Sequence, residues 1–417
     1  MMQLLTMQYL LSEFKQRSFQ IPGMGSRRKD FPIDGVYKYL VSRETNAMSK
    51  IDEFTKDRFC ARKLPTVLKE KELDVGQLDK IFSSAWLDNK NVVCGTKCNS
   101  LIVVNAVSKR LWNIPVLRGS VNAPQPRTNC GIHSIAKNQN GSILATGGEN
   151  PNNIAAYRLP SMEPICVGEH HSDWLFSLAW ISPTLLASGS RDGSIAIWSI
   201  RDDCEKRCSP PVRYSNISPM LVMKDIELVD RVRDIVYNEH SQELAAISTN
   251  GFIHFLNLEY YKQRAAVPLP HCQENVCLAQ EKINCLYAVG SLSHVSLIDP
   301  RTCSHAGSVS SEVHGSGVRS ISFRDYVLTI GTGLGSVLFY DLRNCKYLQR
   351  QDQSRCILKA GKGWLRDDSI LRHFFWDIQE YPNAVYTHCY DPTETKLFTA
   401  GGPLALGLYG NYAALWD

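Results

Sequence analysis

No run of about 18 apolar residues occurs anywhere in the chain, so a membrane-spanning helix is not expected. A strong charge of one sign is missing as well: 46 Lys and Arg stand against 41 Asp and Glu, a formal net charge of +5. That balance is too small to imply a nucleic-acid partner, so an electrostatic function would have to come from where the charges sit. Cysteine is plentiful, at 14 residues, but the close pairs Cys94/Cys98 and Cys204/Cys208 lack a second Cys or His pair at zinc-finger spacing. No metal site is expected, and the thiols read as reduced, mostly buried groups of a cytoplasmic or nuclear protein. Catalytic motifs are absent too. There is no G-x-S-x-G elbow, and Gly331-Thr332-Gly333-Leu334-Gly335-Ser336 lacks the Lys-Ser/Thr of a phosphate loop and leads into a strand. With no nucleophile–base pair, metal set or cofactor motif to assemble, the chain is expected not to be an enzyme.

What is present is clearest between His170 and Arg201. Leu175–Trp180, Leu185–Ser190 and Ile195–Trp198 are three period-two apolar runs separated by turn residues, opened by His170-His171 and closed by Trp198. This is the signature of one WD40 propeller blade. Within it, His171, Ser188, Asp192 and Trp198 can join in one hydrogen-bond path that fixes the turn, a structural role for this His and Asp. Other blades carry Cys98, Asn250, Ser293 or Leu334 near the Asp position and are expected to rely on packing.

Aligning the chain on Gly189 gives further anchors at Gly95, Gly147, Ile247, Gly290, Gly331 and Gly401, at intervals of 52, 42, 58, 43, 41 and 70 residues along the chain. Three intervals match the period of about 40 to 45 residues and three carry insertions, at Arg110–Cys130, Arg201–Asp230 and Asn344–Asn383. The first two read as polar loops. The third holds Gly361-Lys362-Gly363-Trp364 and an aromatic cluster from Asp368 to Trp376, expected on a short capped helix.

The expected fold is therefore all-β, a seven-bladed WD40 β-propeller over 63–417 with a short N-terminal helical extension over 34–62. Residues 1–33, with Pro22, Gly23, Gly25 and Pro32, read as a mobile tail. Glu13 and the few arginines argue against an organelle-targeting peptide there. Between Gly35 and Phe59 apolar residues recur at helical intervals. They would pack on the propeller's flank or dock a partner. Thr66–Glu70 reads as a lone strand that completes the last blade, whose third strand is the last in the chain, and Leu78–Trp86 as the first inner strand.

Basic residues recur at repeat-equivalent positions. Arg319, Arg233 and His133 fall in one register of the inner strands, with Phe82, Phe176, Cys277 and Tyr386 at the same place in other blades. Inner strands line a propeller's channel, so this register converges on one mouth. Lys97 and Arg191 lie in turns near that face, with Arg231 and Lys80 just before or at inner strands. Together they suggest a basic funnel for carboxylates or phosphates. A second register follows the third strands, with Asp341-Leu342-Arg343, Asp299-Pro300-Arg301 and Arg201. It should emerge on the opposite face, as local Asp–Arg pairs or as a docking surface.

Tyr340-Asp341-Leu342-Arg343 resembles the box by which WD40 receptors bind the DNA-damage-binding adaptor of cullin-4 ubiquitin ligases. Val92–Asn99, Ser188–Ser194, Asn383–Asp391 and Gly410–Asp417 resemble the DNA-damage-binding-protein- and cullin-4-associated factor 12 family over about residues 34–417. Residues 1–33 depart from the longer basic N-terminus of that family. The resemblance implies a non-enzymatic substrate receptor that captures proteins ending in two glutamates, without cofactor, nucleic acid or membrane, in cytoplasm and nucleus. It implies that Lys97, Arg191, Arg231, Arg233 and Arg319, with Lys80 and His133, hold the acidic end. Arg343 and Arg301 would face the adaptor, and the helical stretch would insert as an anchor. A WD40 scaffold with no ubiquitin link is the alternative.

Overall fold

Short period-two runs closed by tight turns bury one face of every strand and leave each sheet too small to stand alone, so the sheets stack around an axis. The computed structural model describes residues 60–120, 130–201, 214–282 apart from 225 and 228, 285–311, 316–366, and 381–417 apart from 406. The expectations for residues 1–33, for helices between Gly35 and Phe59 and for the cluster at Asp368–Trp376 lie outside them. Seven sheets, antiparallel but for one added strand in blade two, form seven blades. Their inner strands are Ile81–Trp86, Ile135–Lys137, Leu175–Trp180, Val232–Asn238, Cys277–Gln280, Val318–Arg324 and Asn383–Tyr390. Buried apolar residues form seven clusters, and each bridges two successive blades: Trp198 and Leu186 of blade three pack with Ile154 and Ile143 of blade two, for example. The core is thus distributed over the seams.

All seven sequence anchors fall on second strands. A glycine suits that place because the next blade approaches it closely. A Cβ on Gly95 would lie 2.6 Å from Ile132 Cγ2 and 2.7 Å from Ser83 Oγ. In the last blade the alignment is off by one: Thr387 pairs with Ala400, as Ser320 pairs with Gly331, so Ala400 is the repeat equivalent and Gly401 its neighbour.

The insertions are less loop-like than their polarity suggests. Leu111–Ile114 in the first is the outer strand of blade one. In the second, Ser215–Ile217 adds a parallel strand to Glu163–Gly168 of blade two before Leu221–Met223 returns as the outer strand of blade three. Lys346–Tyr347 and Ile357–Lys359 of the third share the outer edge of blade six.

Closure of the ring differs from the expectation by a few residues. Residues 60–67 form a helix, and the closing strand is Glu70–Glu72, paired with Ala414–Trp416. The helix wins at Thr66 and Val67 because Ala61, Leu64 and Leu68 recur on one helical face and pack against Tyr326 and Phe339. Trp364–Leu365 pairs with Gly410 and Asn411, the other half of the same edge, so the first and last blades leave no open seam. The first inner strand begins at Ile81, three residues later than expected.

In blade three the four-residue path is formed. His171 Nε2 lies 2.8 Å from Ser188 Oγ, Trp198 Nε1 donates to the same oxygen at 2.7 Å, and Asp192 Oδ2 is 3.2 Å from His171 Nδ1. Other blades replace the Asp by small local bonds and do not rely on packing alone. Asn250 bonds Ser248, Cys98 Sγ lies 3.1 Å from Thr96 Oγ1, and Ser293 Oγ is 2.8 Å from His294 Nδ1. Ser188 is fully buried and serves two partners. Ser188→Ala is expected to destabilise the fold by about 1–3 kcal/mol for each buried group left unpaired, measured as a lower urea midpoint with the slope unchanged.

Candidate functional site

Five of the seven inner strands open with a β-bulge. The ladder skips one residue between Ile81 and Ser83, Leu175 and Ser177, Val232 and Asp234, Val318 and Ser320, and Val385 and Thr387. The skipped residues are Phe82, Phe176, Arg233, Arg319 and Tyr386. A bulge frees a residue from the pleat and re-aims its side chain, here into the channel. Those five, with His133 and Val276, line one axial cavity. The register deduced from sequence holds except in blade five, where Cys277 pairs with Gly290 and Val276 takes the channel position.

The ring has two halves. Tyr386 meets Phe82 edge-on at 5.3 Å, Phe82 stacks on His133 at 4.6 Å, and His133 meets Phe176 edge-on at 5.0 Å. Arg233 and Arg319 occupy the other half, with Val276 between their strands. His133 belongs to the aromatic half by charge as well as by contact. Burial, reinforced by the Arg233 charge, pushes its pKa down to about 3, so it is neutral and not one of the cations.

A second cavity opens beside the first and shares Phe176, Arg233 and Val276 with it. It gathers Arg191, Arg231 and Arg233 around Trp174, with Thr249, Glu274 and Asn275. Arg233 Cζ sits 4.1 Å above the Phe176 ring and Arg191 Cζ 4.6 Å above Trp174. Arg191 also has Asp173 at 3.5 Å. Among the described residues, no carboxylate or hydrogen-bond acceptor engages the Arg231 or Arg233 side chain. Burial pulls the Arg233 pKa down, opposed chiefly by the neighbouring Asp234 carboxylate. Arg233 is half-buried and Arg231 exposed, so an anion entering this cavity would meet guanidinium groups with no bonded acceptor to displace.

Arg319 is engaged already. Its Nη2 donates to Glu274 Oε2 at 2.8 Å and its Nε to the Ser316 carbonyl at 3.1 Å. Lys80 and Lys97 stand apart from both cavities, on Asp79. Lys97 Nζ is 3.3 Å from Asp79 Oδ2, while Lys80 is buried, 3.7 Å from Asp79 Oδ1, and donates to the Leu408 carbonyl. Lys80 thereby ties blade one to the last blade, and burial lowers its pKa.

Below the bulge residues runs a ring of inter-blade bonds. Ser83 Oγ donates to the Ile132 carbonyl at 3.0 Å, Leu178 N donates to Ser134 Oγ at 3.0 Å, and Ser177 Oγ to Asp234 Oδ1 at 2.6 Å. Leu278 N donates to Asp234 Oδ2 at 2.8 Å, Cys277 Sγ lies 3.8 Å from the Val318 carbonyl, and Ser320 Oγ donates to the Val385 carbonyl at 3.0 Å. Thr387 Oγ1, 2.9 Å from Ser84 Oγ, closes it.

The antiparallel order places the second register on the other face, where third strands end. Arg343 lies flat on Tyr326, its Cζ 3.3 Å from the ring centroid, with Asp341 Oδ1 at 3.9 Å from Nε. Arg62, on the helix over 60–67, reaches the same carboxylate at 3.8 Å. Arg301 is folded back onto Asp299 through two bonds of 2.7 and 3.0 Å. The two arginines, equivalent in sequence, thus differ: one is bound to its own turn, the other is spread on an aromatic surface next to the helix.

Sequence reasoning overlooked Trp174 and Glu274. Both lie two residues before a channel position, as Arg231 does; reading the register two places upstream would have found Trp174, while the slip at Cys277 points to Asn275 in place of Glu274. No group of three or more His, Cys, Asp or Glu able to hold a metal occurs among the described residues.

Comparison with known proteins agrees with this architecture. The mouse guanine nucleotide-binding protein subunit beta-like protein 1 is 36% identical over 73 residues, 18% of this chain, and the match spans 22% of that relative's length. The family described as DDB1- and CUL4-associated factor 12 beta propeller matches residues 64–417, all seven blades. By that match the chain belongs to the DDB1- and CUL4-associated factor 12 beta-propeller family.

Proposed function

We propose that the protein is the substrate receptor of a cullin-4 ubiquitin ligase, non-catalytic itself, and that it captures proteins whose C-termini end in two glutamates. The observation that carries the reading is the meeting of Arg191, Arg231 and Arg233 in one cavity, the last two without an acceptor among the described residues. Two glutamate side chains and a terminal carboxylate offer about three negative charges to such a site, and arginine forks bind carboxylates in a directional, two-pronged way. Family membership supports the ligase role. Arg319 is available once it leaves Glu274, and Lys97 adds long-range attraction from across the face. Lys80, buried and bonded to Leu408, acts here as a support and not as a contact.

The opposite face supports docking to the DNA-damage-binding adaptor. Arg343, stacked on Tyr326 beside Arg62 of the helix over 60–67, offers a rigid cation next to the segment that leads back to residues 34–59. Arg301, closed on Asp299, contributes less. A cytoplasmic and nuclear location fits this role.

A peptide ending Glu-Glu is expected to bind with a salt-dependent affinity, and its amidated or lysine-extended forms are expected not to. Equal binding of all three would refute the reading. Arg233→Ala should cost about 2 to 5 kcal/mol of that binding. Arg343→Ala should abolish co-purification with the adaptor while leaving thermal unfolding unchanged; a folded wild-type protein that never co-purifies would instead be a scaffold.

Asp234 supplies a pH test. Burial pushes its carboxyl up to about 6, while the hydrogen bonds it accepts and Arg233 oppose the shift. Because the folded pKa is above the unfolded value, its contribution to stability is present below about pH 4 and is lost as pH rises through 6. Protonation below 6 removes one negative charge from the channel, and His133 and His388, held near 3 and 4, stay neutral there. Peptide affinity should therefore rise between pH 7.5 and 5.5, and Asp234→Asn should flatten that rise.

A further inference from the structure

Glu274 is an acid placed inside a cavity that is otherwise built for anions. It lies in the connection from blade four to blade five, two residues before the channel position Val276. It lines the same cavity as Arg191, Arg231 and Arg233. Its carboxylate does not turn to those three. It takes Arg319, whose Nη2 donates to Oε2 at 2.8 Å. Glu274 sits in the connection with φ +54°, in the left-handed region. Arg319 is only 18% exposed while Glu274 is 48% exposed, so the cation is the fixed member of the pair and the acid the displaceable one.

We infer that Glu274 is a tethered stand-in for a ligand carboxylate. It occupies Arg319 when the site is empty and yields it to a carboxylate of the bound acidic C-terminus. The inference rests on the reading of the cavity as an acidic-end receptor and adds a residue that sets how much charge it accepts. With Glu274 in place, the Arg319 charge is offset, and a ligand must outcompete an intramolecular acid to reach it. A weakly acidic end meets only Arg191, Arg231 and Arg233, whereas an end with enough charge and reach displaces Glu274 and gains a fourth guanidinium. Glu274 thereby raises the threshold for capture and sharpens discrimination between ends with one acid and ends with several.

Other roles for Glu274 predict differently. A residue that merely positions Arg319 would weaken anion binding when neutralised. A displaceable stand-in strengthens it. A general field effect of removing one negative charge would persist without Arg319, and the stand-in's effect would not.

The test compares wild type, Glu274→Gln and Glu274→Gln/Arg319→Gln by calorimetric titration with two probes, a peptide ending Glu-Glu and inorganic pyrophosphate. Glu274→Gly, which suits the positive φ, repeats the measurement should the Gln variant fold poorly. The expected result is affinity for both probes tighter by about fivefold in Glu274→Gln, with a steeper salt dependence, and loss of that gain in the double variant. Unchanged or weaker binding of pyrophosphate by Glu274→Gln, or a gain that survives Arg319→Gln, would overturn the inference. Pyrophosphate binding that tightens as expected while no form of the protein binds the Glu-Glu peptide would uphold the stand-in and reject the proposed substrate.

Discussion

The residue that follows each channel position carries the join between one blade and the next. In blades one, five and six it offers its side chain to the carbonyl just ahead of the neighbouring channel residue, as Ser83 does to Ile132 and Ser320 to Val385. In blades two, three and four it receives an amide from the neighbouring inner strand, as Ser134 does from Leu178 and Asp234 from Leu278. Thr387 meets Ser84 and returns the path to its start. Apolar burial supplies most of the cohesion between blades, but apolar contact is non-directional and would tolerate sliding. The hydrogen bonds are directional and fix the height of every inner strand along the axis. With that height fixed, the seven channel residues, five of them on bulges, line one cavity.

The cationic site follows from this geometry. Arg233 and Arg319 are distant in sequence and belong to different blades, yet the bulge puts both in the channel wall at the same depth. Phe176 and the stacked pair Phe82–His133 stiffen the other half and give Arg233 a flat surface to rest on. Cation–π contact of this kind holds a guanidinium in place without neutralising it, which an ion pair would do. Arg319 shows the contrast, since its partner Glu274 cancels its charge until something more acidic arrives. A preorganised Arg233, near Asp234 but with no carboxylate bonded to it, beside an Arg319 paired with Glu274 is a site with a graded response to charge.

Much of this was legible in the sequence, and the reasons are physical. At Gly95, Gly189, Gly290 and Gly331 a Cβ would press on the next blade, so at these anchors the repeat records close approach, and aligning on it yields most of the channel register. The alignment slips where the marker is weak: the last blade has Gly401 beside the true equivalent Ala400, and blade five starts its strand at Cys277, which hides Val276 one place earlier. The charge state of His133 was not legible, because it depends on burial between two rings and on Arg233. Nor was the helix over 60–67, where Thr66 and Val67 favour a strand locally and the burial of Ala61, Leu64 and Leu68 on blades six and seven decides otherwise. Asp-x-Arg recurs identically at Arg301 and Arg343, but only the neighbour Tyr326 lets one of them spread over an aromatic surface.

The two faces are mechanically separate, and that separation is useful to a receptor. Strand direction alternates within each blade, so one face collects the starts of inner strands with the turns between second and third strands, and the other collects the ends of third strands. Arg191, Arg231 and Arg233 are thereby committed to one side, Arg343 and Arg62 to the other. Between them stand seven apolar seams and a closed hydrogen-bond ring. Charge can be rearranged at the upper cavity, by displacement of Glu274 from Arg319, with no cost to the face that bears Arg343. Among the described residues the two groups of arginines are joined through the strands of the blades, so a substitution in one group leaves the contacts of the other in place.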